Sequence, residues 1–375
     1  MSGIYLHIPF CRKACHYCDF HFSTARGNEG EMMSAMSREI YLRKDFLSSP
    51  VSTIYLGGGT PSLISPEKIS ELLDTIYQHF LMDDDVEITL EANPDDVTAT
   101  QAFQWKKAGI NRISLGVQSF HNKWLEWMNR AHNADQSTRA IHSLQEAGLT
   151  NLSIDLIFGM PEQTLEAWSG EIDTALHFDI PHLSCYALTS EPKTALWHMI
   201  ESGKSLQIDA DQQAGMFLIL MDKLEQAGYE HYEISNFAQP GFRSKHNSAY
   251  WKRIPYLGIG PSAHSFNGMQ RMWNIKNNAG YLKQINTGLL PLTAENLSPT
   301  EHWNEYIMIA LRTKEGIDLI EVEEQWGKNR LDRLIQDATS GLERQLLKKE
   351  YNHIRLTRAG KLLADQITVE LIDVP

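Results

Sequence analysis

Three of the four cysteines in this 375-residue chain sit together, as Cys11-Arg-Lys-Ala-Cys15-His-Tyr-Cys18. A C-x3-C-x2-C run on one loop lets three thiolates reach adjacent irons of a single iron–sulfur cluster. Three ligands on a four-iron cubane leave one iron open, where an external ligand can chelate and receive an electron. Zinc is the competing occupant, but a structural zinc asks for four ligands, and His16 could complete the set only awkwardly. The expectation is therefore a [4Fe–4S] cluster on Cys11, Cys15 and Cys18. The fourth cysteine, Cys185, lies in the apolar run Leu183–Leu188 and reads as a buried free thiol.

Other residues stand where they could serve a ligand. Gly57-Gly58-Gly59-Thr60-Pro61 lets the backbone approach a small molecule closely, although alone it can be no more than a turn. Glu91, Gln118, Arg130 and Asp155 fall at or just beyond strand-like segments, where each could equally make an ordinary strand-end hydrogen bond. Tyr5 and Tyr17 flank the cysteine loop, with packing as an equal alternative. His7 and His264 read first as structural histidines. His246-Asn247-Ser248-Ala249-Tyr250-Trp251 falls in a stretch rich in Gly, Pro, Asn and aromatics, read as an accessible loop.

Positioning these residues requires a scaffold. Strand-like segments recur at Ile4–Ile8, Thr53–Leu56, Glu87–Glu91, Arg112–Val117, Leu152–Ile157 and Leu183–Leu188, separated by amphipathic stretches. Ser65-Pro66 reads as a helix N-cap followed by proline at the first helical position. Repeated βα units imply a parallel sheet, open or curled into a barrel, with ligands at the carboxyl ends of its strands. The acidic run Asp83-Asp84-Asp85 reads as a solvated turn before the third strand. Beyond Ile208 come a long helix (Ala210–Ala227), the irregular stretch to Asn278, and then helices over Thr300–Arg312 and Asn329–Leu347. A strand at His353–Leu356 and a helix at Thr357–Leu371 suggest a small helical, winged-helix-like unit. The boundaries read 1–207 for the core, 208–297 for its completion and 298–375 for the C-terminal unit.

The cysteine run after a strand ending His-Ile-Pro-Phe resembles the radical S-adenosylmethionine (SAM) superfamily. The segments Leu-Glu-Ala-Asn-Pro, Gly-Val-Gln-Ser-Phe, Asn-Arg-Ala-His and Ile-Asp-Leu-Ile-Phe-Gly-Met-Pro resemble its porphyrinogen-oxidase-like branch. That resemblance implies an α/β fold, an incomplete (β/α)6 barrel with a small C-terminal domain. It also implies SAM chelated to the open iron. Gly58, Gly59 and Thr60 would then hold the SAM amino group and Arg130 its carboxylate. Gln118 and Asp155 would take the ribose hydroxyls, Glu91 a further polar edge, and Tyr5 or Tyr17 would cover the ligand.

Within the branch two activities compete. An oxygen-independent coproporphyrinogen III dehydrogenase would carry a further cysteine where this chain has Phe20, and an extension before the first strand. The haem chaperones carry an H-N-x-x-Y-W motif, matched here by His246 to Trp251. By that resemblance haem is a cargo, with His246 on the iron and Tyr250 and Trp251 against the macrocycle; His264 could be a second axial ligand or line the SAM pocket. An apo-haemoprotein acceptor and an electron-donor protein are the implied partners.

A net charge of −13 argues against nucleic acid, whose phosphates call for surplus Lys and Arg. Few, bunched cysteines suit metal ligation in a reducing compartment better than a disulfide framework. With no secretion signal and no apolar run of spanning length, the expectation is a cytoplasmic protein whose membrane contact is peripheral at most.

Overall fold

Along each of six strands, polar and apolar residues alternate, so one face of the sheet can be apolar and the other hydrogen-bonding. The computed structural model describes residues 1–373 and places these strands at β1 (Ser2–Ile8), β2 (Val51–Gly58), β3 (Met82–Ala92), β4 (Arg112–Gln118), β5 (Leu152–Phe158) and β6 (His182–Ala187). They pair in sequential order, every pair parallel. The result is the incomplete (β/α)6 barrel.

Ile4, Leu6, Ile54, Leu56, Ile88, Leu90, Ile113, Leu115, Ile154 and Leu156 are fully buried or nearly so. Each such side chain contributes roughly 1.5–3 kcal/mol by leaving water. The alternate positions, among them Tyr5, Thr53, Tyr55, Glu91, Ser114 and Asp155, hydrogen-bond one another or a neighbouring ring. Parallel strands usually read as unbroken apolar runs. Here the interior face is polar, which suits a ligand chamber.

Helices α1 (Glu29–Leu42), α2 (Pro66–His79), α3 (Ala99–Lys107), α4 (Asn122–Trp127), α5 (Ala134–Glu146) and α6 (Leu165–His177) lie between the strands. Ser65 caps α2, accepting from the Lys68 N–H with Pro66 at the first turn, and Asn133 with Gln136 forms a capping box on α5. Beyond β6, a strand at Tyr256–Ile259 returns to pair parallel with β1, and the strands His264–Phe266 and Gln270–Asn274 follow it antiparallel. The buried Glu39 of α1 fastens this return. It accepts from the Gly260 N–H (2.8 Å), Asn274 Nδ2 (2.7 Å) and the Tyr281 hydroxyl (2.7 Å).

The chain divides into two compact units, residues 1–220 with 241–295, and residues 221–240 with 296 onward. The second unit packs helices Pro299–Arg312, Leu319–Trp326, Lys328–Asp337 and Ala364–Leu371 around Trp303, Ile307, Leu311, Leu334 and Ile367. It also carries a three-stranded antiparallel sheet of Ile317–Asp318, His353–Leu356 and Leu347–Glu350.

Three expectations need correction. Leu347 begins a strand, because the helical pattern stops at Glu343 and a hairpin follows. Asp83 to Asp85 lie inside β3, at its exposed start, rather than in a turn. Residues 245–251 form a helix, because Ser244 caps it by accepting from the Asn247 N–H. Among the described residues no helix is long and apolar enough to cross a membrane.

Candidate functional site

The cysteine loop leaves β1 at the carboxyl end of the barrel and is tied at its base. The Cys11 N–H donates to the Ser23 carbonyl (3.0 Å) and the Ser23 N–H to that of Pro9 (2.9 Å). Cys11, Cys15 and Cys18 are free and partly exposed. Burial pushes the Cys18 thiol up to about 12, and repulsion from Cys15 and Cys11 adds to it. Burial likewise raises Cys11 to about 11. A metal would reverse this, since a coordinated thiol is deprotonated outright. His16, the conceivable fourth zinc ligand, places Nδ1 2.6 Å from the Trp127 carbonyl. Among the described residues no three His, Cys, Asp or Glu side chains converge on a single-ion position. Three sulfurs on one loop, each needing its own iron, fit a cubane. Two donors already point at sulfur: Thr60 Oγ1 lies 3.5 Å from Cys11 Sγ and Arg130 Nη1 3.3 Å from Cys15 Sγ.

The glycine turn cannot tolerate side chains. A Cβ on Gly59 would stand 2.6 Å from the Phe10 carbonyl oxygen and 2.8 Å from that of Ile8. Gly58 holds φ at +106°, and the His7 ring lies where its Cβ would be. A bare backbone therefore runs between the cysteine loop and the barrel interior. The Gly58 N–H donates to Glu91 Oε2 (3.1 Å) while the Tyr55 hydroxyl donates to Oε1 (2.8 Å). Burial raises Glu91 to about 7 and Asp155 to about 6, and each carboxylate adds to or feels the other's field while Arg112 opposes it. Asp155 accepts from Ser114 Oγ at 3.2 Å. It sits in the middle of β5 rather than at its end.

Arg130 joins the two loops. Its Nη2 donates to Asn93 Oδ1 (2.5 Å) and the Gly116 carbonyl (2.9 Å), while its Nε is buried without a partner. An unmatched N–H on a buried guanidinium fits a ligand carboxylate. Tyr17 lies close enough to Arg130, Cys15 and Cys18 for their fields to act on its phenol, although burial is what chiefly raises it. Tyr5 stacks on Tyr55 at 6.1 Å, and its hydroxyl lies 3.3 Å from His7 Nδ1. Phe20 stands exposed beside the loop, and Cys185 is buried in β6.

Gln118 ends β4 in the left-handed region, at φ +64°, an uncommon conformation for a side-chain-bearing residue. A buried carboxylate holds the turn that follows. Glu171 accepts from Ser119 Oγ (2.5 Å) and from the Phe120 N–H (2.9 Å). Burial raises Glu171 from 4.5 to about 7. Between these values the folded protein keeps a proton that the unfolded chain has lost, so this group's contribution to stability falls as pH rises from about 4.5 to about 7. Above that it is level. Chemical unfolding at pH 5 and pH 8 should show Glu171→Gln losing less stability across this range than the parent, by at most about 3 kcal/mol. Equal losses would contradict the assignment.

His246 does not join the residues at the carboxyl ends. It is buried near Gly3 and Thr53, early in β1 and β2. Thr53 and Gly58 lie five residue steps apart along β2, roughly 16 Å of strand. Both ring nitrogens are engaged: Nδ1 with Thr53 Oγ1 at 2.8 Å and Nε2 with the Tyr250 hydroxyl at 2.9 Å. Burial lowers its pKa to about 3, so the ring is neutral. The accessible loop histidine expected from composition is a plug at the amino end of the barrel. Glu87 holds the start of its helix, accepting from the Lys245 N–H (3.2 Å) and the His246 N–H (3.1 Å). Tyr250 packs edge-on to Tyr256, and Trp251 Nε1 is buried with no hydrogen-bond partner. His264, by contrast, is exposed, 6.2 Å from the Trp273 ring.

Several residues at the site escaped the sequence reading. Arg12 pairs with Asp95 (3.0 Å) and Asp96 (2.5 Å), and Ser62 Oγ donates to Asp96 at 2.7 Å. Asn93 links Arg130 to Thr60 Oγ1 (3.2 Å). The Asn93-Pro94-Asp95-Asp96 turn thus wires the cysteine loop, the glycine turn and Arg130 together. Its Asn-Pro after a strand was the available signal.

Comparison with known proteins places the chain in a family. Residues 5–174 match the Radical SAM superfamily and residues 297–363 the HemN C-terminal domain. The chain is 35% identical over 372 residues to the heme chaperone HemW of Bacillus subtilis, covering 98% of each chain. It is 32% identical over 376 residues to the heme chaperone HemW of Mycobacterium tuberculosis, covering 99% of this chain and 94% of that one. The solved structure of Escherichia coli coproporphyrinogen III oxidase (HemN), a radical SAM enzyme, superposes with a TM-score of 0.86 over 99% of this chain and 90% of that one. Its sequence is 24% identical, and that likeness is one of fold. With a cysteine loop fit for a cubane, a bare glycine turn beside it and relatives matched end to end, this chain belongs to the HemW family of radical SAM proteins.

Proposed function

We propose that this protein binds haem and passes it to an apo-haemoprotein, while carrying a [4Fe–4S] cluster and SAM at the mouth of its barrel. The observation that carries the reading is 35% identity to a heme chaperone across 98% of both chains. Phe20 supports it, standing where the oxidase pattern asks for a further cysteine. The unpartnered, buried N–H of Trp251 supports a ligand beside the H-N-x-x-Y-W helix, since buried donors are rarely left unmatched.

In this reading Cys11, Cys15 and Cys18 hold the cluster, and its open iron supplies a chelation point for SAM and an electron. The chain's own residues do the positioning. Arg130 takes the SAM carboxylate through its unused N–H. Gly58, Gly59 and Thr60 give backbone groups and a hydroxyl to the amino end, beside Glu91. Gln118 and Asp155 take the ribose, and Tyr5 and Tyr17 close over it. His246 ligates haem iron, with Tyr250 and Trp251 as its flat partners, once the bonds of His246 to Thr53 and Tyr250 are released. An electron-donor protein, a cytoplasmic location and at most peripheral membrane contact complete the proposal.

Anaerobically reconstituted protein titrated with haem should give a saturable absorption band, and His246→Ala should shift or weaken it. A band that ignores the substitution would move the ligand, with the exposed His264 the next candidate. Haem taken up no better than by an unrelated protein would overturn the reading.

A further inference from the structure

The plug and the mouth of the barrel, though some five residues of strand apart, are connected by direct contacts. The His246 ring stacks on Tyr55, centroids 5.0 Å apart and planes 28° from parallel. Tyr55 donates its hydroxyl to Glu91 Oε1 at 2.8 Å, and the other oxygen of that carboxylate accepts the Gly58 N–H at 3.1 Å. Two residues on, Thr60 Oγ1 reaches Cys11 Sγ at 3.5 Å. Tyr5 packs against both rings of the stack, 6.1 Å from Tyr55 and 6.4 Å from His246.

Each link has its geometry fixed from elsewhere. Thr53 and Tyr250 occupy both nitrogens of His246, so its ring cannot turn without breaking a hydrogen bond. The ring plane in turn limits where Tyr55 can lie, and Tyr55 sets which way the Glu91 carboxylate faces. A carboxylate accepts through about four lone-pair positions. Two are used by Tyr55 and Gly58, and the remainder can accept a ligand's ammonium only while those two hold the group in place. A Cβ at Gly57 would meet the Tyr55 ring at 2.8 Å and Glu91 Oε1 at 3.0 Å, so ring, carboxylate and glycine turn are packed against one another as one body.

We propose that His246 is a positioning residue of the SAM site: through Tyr55 it orients Glu91 and the Gly57-to-Thr60 turn, so that the plug at the amino end of the barrel sets SAM affinity at the carboxyl end. The inference rests on the SAM site proposed above, and it does not depend on haem. It carries a consequence for haem. If iron takes Nε2 of His246, the bond to Tyr250 is lost and the stack on Tyr55 loosens. Haem at His246 and SAM at the mouth then oppose each other, each weakening the other by the same factor.

The test measures SAM binding to the reconstituted, haem-free protein by equilibrium dialysis, together with the change that SAM causes in the electron paramagnetic resonance signal of the reduced cluster. Tyr55→Phe keeps the ring and removes only the hydroxyl that reaches Glu91, so it guards against a failure to fold in His246→Ala. Both variants should hold their full cluster content and give the parental signal without SAM. Each should bind SAM about 5–10-fold more weakly, about what the loss of one ordinary hydrogen bond costs. The double variant should lose no more than the weaker-binding single one, because both substitutions cut the same chain of contacts. Parental affinity in both single variants would overturn the inference, as would strictly additive losses. Parent protein that shows no SAM binding at all would instead overturn the SAM site on which the inference stands.

Discussion

Replacing Cys15 with serine should leave the protein folded and without its cluster. With three protein thiolates on a cubane, losing one leaves two irons lacking a protein ligand, and the loop holds no further cysteine to substitute. Of the loop neighbours His16, Asp19 and Phe20, none brings a thiolate. Iron content should fall from about four per chain to well below one, with loss of the broad visible absorption of the cluster. The backbone has little reason to respond, because the loop is closed at its base by hydrogen bonds between Cys11, Ser23 and Pro9 that involve no thiol. Far-ultraviolet circular dichroism should therefore match the parent. Cys185→Ser provides the control. That thiol is buried in β6, away from the loop, and its loss should leave the iron content unchanged. Full cluster content in the Cys15→Ser protein would contradict the three-cysteine assignment.

The second large effect is expected at Arg130. Arg130→Gln keeps a planar, polar side chain but removes the charge facing a ligand carboxylate. Charge-assisted bonds in buried surroundings contribute about 1.5–3 kcal/mol each. The loss of that one charge-assisted bond should thus weaken SAM binding by about 10–100-fold. Arg130→Lys restores the charge without the fork and should fall between the two. Because Arg130 also donates to Asn93 and the Gly116 carbonyl, both variants should unfold at lower denaturant as well. Cluster content separates the two consequences, since a protein that holds its iron yet fails to bind SAM has lost the grip rather than the fold. Parental SAM affinity in Arg130→Gln would contradict the role.

Much of this was legible in the residues because it is local. The cysteine spacing lies within eight positions, and its chemistry follows from ligand count alone. The strand-and-helix alternation showed itself through recurring strand-like runs, the amphipathic stretches between them and caps such as Ser65. What the sequence concealed depends on distant pairing. Nothing near His246 states that the strand Tyr256–Ile259 will return beside β1 and carry the preceding helix beneath the barrel. Its neighbours suggested a loop, and only the cap at Ser244 reveals the helix. Asn93 was hidden for a similar reason: its role is to touch Arg130 and Thr60, each more than thirty residues away. The polar interior was present in the alternation of Glu87, Thr89 and Glu91 or of Arg112, Ser114 and Gly116. A strand with one solvated face reads the same way, and only the covering helices on the other face show that this one lines a chamber.

Haem transfer tests the central claim most directly. The reconstituted protein, loaded with one equivalent of haem and freed of excess, would be mixed anaerobically with an apo-haemoprotein whose holo form has a distinct absorption spectrum. The acceptor's spectrum should appear as the donor's band disappears, and coproporphyrinogen III offered with SAM and reductant should be left unchanged. Haem that stays on the donor, or that reaches the acceptor no faster than free haem does, would contradict a chaperone, and decarboxylation of coproporphyrinogen would contradict it outright.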